Sequence, residues 1–136
     1  MNKKIILSIL VLLSFGLTLY AQSAGQFFRQ GNAAFDRKAY DSAVMLYSKA
    51  IQSDLRSPEI YFHRGNALLK LEKFDDAIVD FSMVISIDPK FAEAYYNRGM
   101  SRKLKNSPVQ NCCEDFRKAM DLGFTAAGKA MDDYCR

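Results

Sequence analysis

The chain has 136 residues, which is the usual size of a single domain. Apolar residues make up 49% of it and charged residues 25%, a balance typical of soluble globular proteins. The formal net charge is +4, but the charges alternate in sign along the chain and form no basic block. We therefore expect no binding of nucleic acid.

The first predicted element, residues 1–21, has the layout of a secretory signal peptide. Lys3 and Lys4 form a short basic start, residues 5–13 are almost all apolar, and cleavage is predicted after Ala21. The alternative is an uncleaved N-terminal membrane anchor, although the apolar stretch is shorter than the roughly 20 residues that a spanning helix needs. We expect an exported protein, periplasmic or secreted, with no stable membrane span after cleavage.

Beyond this segment the sequence repeats, because Gly31, Gly65 and Gly99 recur every 34 residues. The four residues before these glycines align as Phe27-Phe28-Arg29-Gln30, Tyr61-Phe62-His63-Arg64 and Tyr95-Tyr96-Asn97-Arg98. A fixed period of this length is typical of a solenoid, in which each unit buries its apolar face against its neighbours.

The unit at residues 58–91 shows that each period divides into two amphipathic helices. Pro58 opens the first helix, where its missing N–H costs nothing, and apolar residues then recur at helical spacing. Asp75 is the predicted N-cap of the second helix, because its carboxylate can accept from free N–H groups. Pro89 cannot continue that helix and ends it.

Small residues are expected where the two helices of a unit cross, because they let the backbones approach closely. Gly65 has such a partner in Ala77. In the third unit the corresponding partner of Gly99 is Cys112, which comes one residue later than the pattern requires. The turn around residues 106–108 is therefore predicted to hold one extra residue, which a surface turn absorbs cheaply.

These residues resemble the tetratricopeptide repeat family, whose unit has an aromatic and a glycine in its first helix, small-aromatic-small positions in its second, and a closing proline. Here these are Tyr61, Gly65, Ala77, Phe81, Val84 and Pro89; Phe27, Gly31, Ala43, Tyr47, Ala50 and, in place of the proline, Leu55; and Tyr95, Gly99, Cys112, Phe116 and Ala119. The resemblance implies an all-α fold, a right-handed α-solenoid of three helix-turn-helix units (22–57, 58–91 and 92–123). A C-terminal capping helix at 124–136 follows.

Two charged positions repeat together with the glycine. An arginine precedes the glycine, and an aspartate precedes the second-helix aromatic, in the second and third units only. The residues are Arg64 with Asp80, Arg98 with Asp115 and, in the first unit, Gln30 with Leu46. We predict structural ion pairs between packed helices, in which Asp80 meets either Arg64 of its own unit or Arg98 of the next.

The three cysteines all lie near the C-terminus, and disulfides persist in exported proteins. Cys113 and Cys135 are about equally far from the turn near Gly123, so they are level across an antiparallel helix pair. We predict a Cys113–Cys135 disulfide, with Cys112–Cys135 as the alternative. The resemblance agrees, because exported bacterial repeats of this type often end in a similar Cys-Glu-Asp-aromatic helix and a final Tyr-Cys.

The sequence shows no cluster of residues typical of a catalytic or metal-binding site. The single histidine, His63, lies in the middle of a repeat helix, and adjacent Cys112 and Cys113 lack the spacing of redox or zinc motifs. We predict no enzymatic activity, no catalytic residue, no metal, no cofactor and no small-molecule substrate. His63 is expected at the rim or inside a groove rather than as a ligand or base.

By the family's register, the first helix of each unit faces the inner curve of the solenoid and forms a peptide-binding groove. The implied groove residues are Phe28, Asn32, Phe35, Glu59, Phe62, Asn66, Leu69, Glu93, Tyr96, Met100 and Lys103. Aromatic side chains supply apolar contact, and Asn32 and Asn66 can bond to an extended backbone. The alternative is that some of these aromatics pack between repeats.

One subtype of the family captures chaperone C-terminal carboxylates with lysine and arginine on this face. Phe28 and Glu93 occupy places where that subtype has lysine, so an apolar or mixed peptide is expected instead. The predicted function is a non-enzymatic interaction module that binds a protein or peptide partner in the cell envelope. The alternative is a small structural subunit of a larger envelope assembly, docked by its convex face or its end repeats.

Overall fold

The computed structural model describes residues 2–53 and 57–135, and at residues 4, 7 and 9–23 it describes the backbone alone. The described helices are α1 (Lys3–Asp36), α2 (Tyr40–Ser53), α3 (Pro58–Lys70), α4 (Phe74–Ile87), α5 (Ala92–Leu104), α6 (Val109–Asp121) and α7 (Ala126–Tyr134). Each helix packs on the next, which gives a first (α1–α2), second (α3–α4) and third (α5–α6) helix pair followed by α7. The described residues contain no strand, and the predicted all-α repeat fold is confirmed.

Helix α1 is longer than the first helix of a repeat needs to be. It runs without a break from Lys3 to Asp36, so the apolar N-terminal run and the first repeat helix are continuous. No helix in the described residues is both long and apolar enough to cross a membrane. Cleavage after Ala21 stays a prediction, and Leu55, at the place of the closing proline, lies outside the described residues.

The turns inside the three helix pairs share one backbone conformation. Each places a non-glycine residue in the left-handed region: Lys38 at φ 61°, Glu72 at φ 58° and Asn106 at φ 60°. The next amide then bonds to a carbonyl five residues back, as Ala39 does to Ala34 at 2.9 Å. This arrangement satisfies carbonyls left open at the helix end. The third turn is one residue longer than the other two, as the spacing predicts.

The prediction that Asp75 caps α4 was wrong. The helix begins at Phe74 with Lys73 as its N-cap, because the chain enters the helix directly after the left-handed Glu72. Asp75 lies in the first turn, where a carboxylate still interacts favourably with the helix dipole. Its side chain pairs with Lys105 of the third turn.

The repeated glycines make room for an aromatic ring from the partner helix. A Cβ at the glycine would lie 2.6 to 2.8 Å from the nearest ring carbon, which is closer than packed atoms allow. The contacts are Gly31 with Tyr47, Gly65 with Phe81, and Gly99 with Phe116. All three rings are fully buried, so they form the centre of each helix pair.

A buried ion pair joins the helices of the second pair. Arg64 Nε and Nη2 donate to both carboxylate oxygens of Asp80 at 2.8 and 2.7 Å, and Nη1 donates to Ser48 Oγ of the first pair at 3.0 Å. Asp80 is 2% exposed, and burial raises its pKa. The hydrogen bonds to Asp80 raise the pKa of Arg64. Asp80 thus meets Arg64 of its own unit, and this arginine also connects two helix pairs.

The third pair has the same joint with one more cation. Arg98 donates to Asp115 at 3.1 and 2.7 Å and to Ser82 of the second pair at 3.1 Å. Arg102 adds a contact to Asp115 at 2.7 Å. The repeated arginine and aspartate are therefore structural, because they fix each pair internally and against the pair before it.

Helix α7 covers the end of the third pair. Ala127 and Ala130 face α6 and are buried. A disulfide joins Cys113 to Cys135, with the Cα atoms 5.7 Å apart, and Cys112 is a free, buried cysteine. The cap is thereby tied covalently to α6.

Candidate functional site

The predicted groove residues lie on α1, α3 and α5, the first helices of the three pairs. All are at least partly open to solvent, and we call them together the groove face. Half-exposed are Phe28, Asn32, Phe35, Phe62, Asn66, Leu69, Tyr96, Met100 and Lys103, whereas Glu59 and Glu93 are exposed.

Each helix pair places one groove aromatic on its buried central ring. The centroid distances are 5.9 Å for Phe28 and Tyr47, 5.9 Å for Phe62 and Phe81, and 5.8 Å for Tyr96 and Phe116. Such distances are typical of favourable aromatic pairs. One side of each groove ring is therefore packed in the core, and part of the ring is exposed to solvent.

These rings also contact neighbouring elements. Phe62 lies 4.8 Å from Phe91 at the start of the third pair, and Tyr96 lies 5.1 Å from Phe124 beyond α6. The alternative that some aromatics pack between repeats therefore describes part of their surface. The contacts hold the rings in place, which lowers the entropy that a ligand must remove on binding.

His63 lies where the groove face passes from the first helix pair to the second. Its ring centroid is 5.1 Å from Phe28 and 6.1 Å from Phe62, both at near-perpendicular angles, and 5.9 Å from buried Tyr47. Burial lowers the pKa of His63, and the carboxylates of Glu59 and Asp36 oppose this effect. The imidazole is therefore neutral at pH 7.

The two groove asparagines are oriented by hydrogen bonds from their neighbours. Tyr47 donates its hydroxyl proton to Asn32 Oδ1 at 2.8 Å, and Asn97 Nδ2 donates to Asn66 Oδ1 at 2.8 Å. Burial, with a smaller effect of Asp36, raises the pKa of Tyr47 to about 12, so its hydroxyl stays a donor. Each asparagine consequently presents its NH₂ group, which donates to a peptide carbonyl.

The last groove residue of each first helix also contacts another part of the structure. Phe35 contacts Tyr40 edge to face, with ring centroids 5.3 Å apart, and Leu69 packs against the core of the second pair. In the third pair, Lys103 Nζ lies 4.3 Å above the ring of Tyr134 in the cap.

Neither of two cavities in the described part of the structure is lined by a groove aromatic. One of about 460 Å³ is at the C-terminal end, between Lys103, Cys112 and Tyr134. The other, of about 260 Å³, lies at the joint of Arg64 and Asp80 beside α2 and α4. No group of three or more His, Cys, Asp or Glu side chains within residues 2–53 and 57–135 is placed to hold a metal ion.

Three residues at the groove face were not among the predicted binding residues: His63, which was expected only at the rim or inside a groove, Asn97 and Asp36. The signal for the first two was present, because His63 and Asn97 align with Arg29 directly after the groove aromatic of each unit. Asp36 is the last residue of α1 and has no matching carboxylate in the other units, so periodicity could not indicate it.

Comparison with protein families finds the Tetratricopeptide repeat at residues 58–91 and the TPR repeat at residues 31–72. No curated protein matches the sequence significantly.

Solved structures match across most of the chain. The Arabidopsis OM64 TPR domain is 28% identical with a TM-score of 0.76, and the match covers 83% of this chain and 97% of that one. The second TPR of Spaghetti (RPAP3), bound to the HSP90 peptide SRMEEVD, is 25% identical with a TM-score of 0.72, covering 75% and 94%. The second TPR domain of human RPAP3, in complex with the HSP70 peptide SGPTIEEVD, shares the fold at 23% identity and a TM-score of 0.77, covering 88% and 98%.

The repeated glycine, the central ring of each pair and these matches lead to one conclusion. Residues 31–91 consist of tetratricopeptide repeats, and the chain has the tetratricopeptide repeat fold.

Proposed function

We propose that the chain is a non-enzymatic interaction module that binds a peptide segment of a partner protein along the groove face. The observation that carries this proposal is the row of half-exposed rings at Phe28, Phe62 and Tyr96, each fixed on a buried ring. Rigid aromatic rings bind at low entropic cost, and the NH₂ groups of Asn32 and Asn66 supply donors for an extended backbone.

The related structures support a peptide ligand but not the same peptide. The HSP90 and HSP70 peptides in those complexes end in Glu-Glu-Val-Asp and are acidic. In this chain Phe28 and the exposed Glu93 stand where carboxylate-binding repeats have lysine. A second carboxylate near Glu93 would be repelled, so we propose an apolar or mixed peptide rather than an acidic C-terminus.

We also propose that this binding takes place after export, with a partner in the cell envelope. The basic start and apolar run of residues 1–21 support export. The Cys113–Cys135 disulfide is in keeping with an oxidising compartment.

A second candidate, a structural subunit docked by the opposite face, is favoured by one observation. Met45 and Val79 project from α2 and α4 and are 53% and 61% exposed. Large apolar side chains at the same place in consecutive units form a surface that a partner can cover.

The two candidates are separated by probing an array of randomised 11-residue peptides with the full chain. The groove variant Phe62→Ala/Asn66→Ala is expected to lose at least tenfold in binding, because a buried ring contact and a donor are removed together. The matched control is Met45→Ala/Val79→Ala, which leaves the groove face intact and is expected to bind like the native chain. Circular dichroism verifies that both variants fold. Unchanged binding by the groove variant, or loss by the control alone, would contradict the groove and favour the opposite face.

A further inference from the structure

We propose that the junction of the first and second helix pairs is a subsite for a lysine or arginine side chain of the bound peptide. This His63 subsite consists of Phe28, Phe62 and His63, with Asp36 and Glu59 beside them. The inference rests on the proposed function and adds to it the chemistry of one peptide residue.

The rings of the subsite form an angular recess rather than a flat surface. The ring of His63 is nearly perpendicular to Phe28, at 81°, and to Phe62, at 87°. Tyr47, which is fully buried, lies beneath Phe28 and His63 and closes the floor. Aromatic faces attract a cation within about 6 Å of the ring centre, and several rings around one cation add their effects.

The charges around the recess are negative. The two charged groups that act on His63 are the carboxylates of Glu59, on the same helix, and Asp36, at the end of α1. Both are exposed, and neither forms an ion pair with any residue in the described part of the chain. Within the same part of the chain, the hydrogen bond that Glu59 accepts comes from a neutral group, Ser57 Oγ, at 3.0 Å. These carboxylates are therefore open to a cation from a ligand.

The basic residue of α1 nearest to this junction is directed away from it. Arg29 follows Phe28, but its Nη1 lies 3.8 Å from the place of a Cβ on Gly25, one turn toward the N-terminus. The guanidinium therefore does not neutralise the recess. A neutral imidazole adds one nitrogen acceptor for the N–H groups of an ammonium or guanidinium ligand.

The next junction along the groove is different, which makes the preference local. Asn97 stands at the place of His63 and bonds to Asn66 at 2.8 Å. This contact places amide groups where the first junction has an imidazole. Glu93 corresponds to Glu59, but Lys70 corresponds to Asp36, so the second junction has one carboxylate and one cation in place of two carboxylates. A cationic side chain is thus expected to be selected at the first junction only, which fixes the register of the peptide along the groove.

The subsite also predicts a pH dependence. Protonation of His63 would put a positive charge in the recess, where it would repel the ligand cation. The groups that face the imidazole are Asp36 from α1, Tyr47 from α2 and Glu59 from α3. Tyr47 stays neutral in this range, so a loss of binding as the pH falls below about 6.5 reports on His63.

The test uses the full chain and a library of capped 11-residue peptides, randomised except for one central position fixed as Lys, Arg, Met or Glu. The Lys and Arg sub-libraries are expected to bind about tenfold more strongly than the Met sub-library, the strength of a cation–π contact with an exposed ion pair. The variant Asp36→Asn/Glu59→Gln is expected to lose this preference, so that it binds the Lys, Arg and Met sub-libraries with similar strength. The matched control, Glu93→Gln on the third pair, is expected to retain the preference.

Each outcome decides one proposal. Equal binding of the Lys and Met sub-libraries, preferential binding of the Glu sub-library, or a Lys preference that survives in Asp36→Asn/Glu59→Gln would overturn the His63 subsite and leave the peptide-binding groove standing. Failure of all four sub-libraries to bind would contradict the groove itself.

Discussion

The first and second helix pairs have the same backbone arrangement but join their helices with different chemistry. The second pair uses a buried, doubly hydrogen-bonded Arg64–Asp80 joint, whereas the first has Gln30 and Leu46 at these places. Both keep the central ring over a glycine, and a Cβ at Gly31 or Gly65 would lie 2.6 or 2.8 Å from that ring. The ring and glycine therefore set the geometry of a pair, and the ion pair is an addition that the fold does not require.

The largest expected effect comes from breaking this joint on one side. Arg64→Gln leaves the Asp80 carboxylate, which is 2% exposed, without its cation. Because an uncompensated buried charge is strongly unfavourable, we expect the free energy of unfolding to fall by about 3–5 kcal/mol, measured by urea denaturation at pH 7.

The first pair supplies the matched control. The double variant Arg64→Gln/Asp80→Leu copies Gln30 and Leu46 into the second pair. We expect it to lie within about 1 kcal/mol of the native chain, because replacing both partners leaves no unpaired charge. A double variant as unstable as the single one would show that the second pair depends on the joint itself, and the comparison with the first pair would fail.

The two ends of the array differ as well, since the first pair continues into the long helix α1 and the third is closed by a short helix and a disulfide. Removing this covalent closure with Cys113→Ala/Cys135→Ala is expected to lower stability by about 3 kcal/mol, the chain-entropy effect for a loop of this length. Thermal unfolding followed by circular dichroism measures the effect. Cys112→Ala, at the free buried cysteine, is the control and should cost about 1 kcal/mol. An equal loss from both variants would assign the effect to packing.

The helix pairs could be predicted from the sequence because each depends on residues that recur together, such as Gly65 with Phe81. The N-cap of α4 could not be predicted, because the turn before it places Glu72 in the left-handed region. Glycine or asparagine normally marks such a position in a sequence, and glutamate does not. The continuity of α1 was also missed. The basic start and apolar run of residues 1–21 indicate a separate signal segment, and nothing in their composition shows that the helix continues from them into the first repeat.

Groove chemistry was harder to predict than the fold because it depends on contacts between units. His63 acquires its role from Phe28 and Asp36, which belong to the preceding helix pair. Asn32 is turned by the hydroxyl of Tyr47, whereas the second pair has Phe81 at that place and no hydroxyl to donate. Periodicity identifies what the units share, and these features are what they do not share.

A smaller effect is expected at the turns, where the residue in the left-handed region is Glu72 in the second pair and Asn106 in the third. Glu72 at φ 58° carries the steric strain of the left-handed region, so Glu72→Gly is expected to stabilise the chain by about 1 kcal/mol. Asn106→Gly at φ 60° is expected to gain less, because asparagine tolerates this conformation. Urea midpoints of the two variants test the order, and a larger gain at Asn106 would contradict the strain argument.

The smallest effect separates the two groove junctions, which have His63 and Asn97 at the same place. Burial lowers the pKa of folded His63 below its ordinary value near 6.5, so folding favours the neutral ring. The stability that this confers is full above about pH 6.5 and is lost as the pH falls from there through the folded pKa. His63→Asn copies the second junction and removes the titration. The difference in unfolding free energy between the native chain and this variant should therefore decline from pH 7.5 to pH 5, whereas Asn97→Ala should leave the slope of the native chain unchanged. Parallel curves for the native chain and His63→Asn would mean that His63 is as solvated as in the unfolded chain, and the contrast between the two junctions would then be one of shape and not of charge.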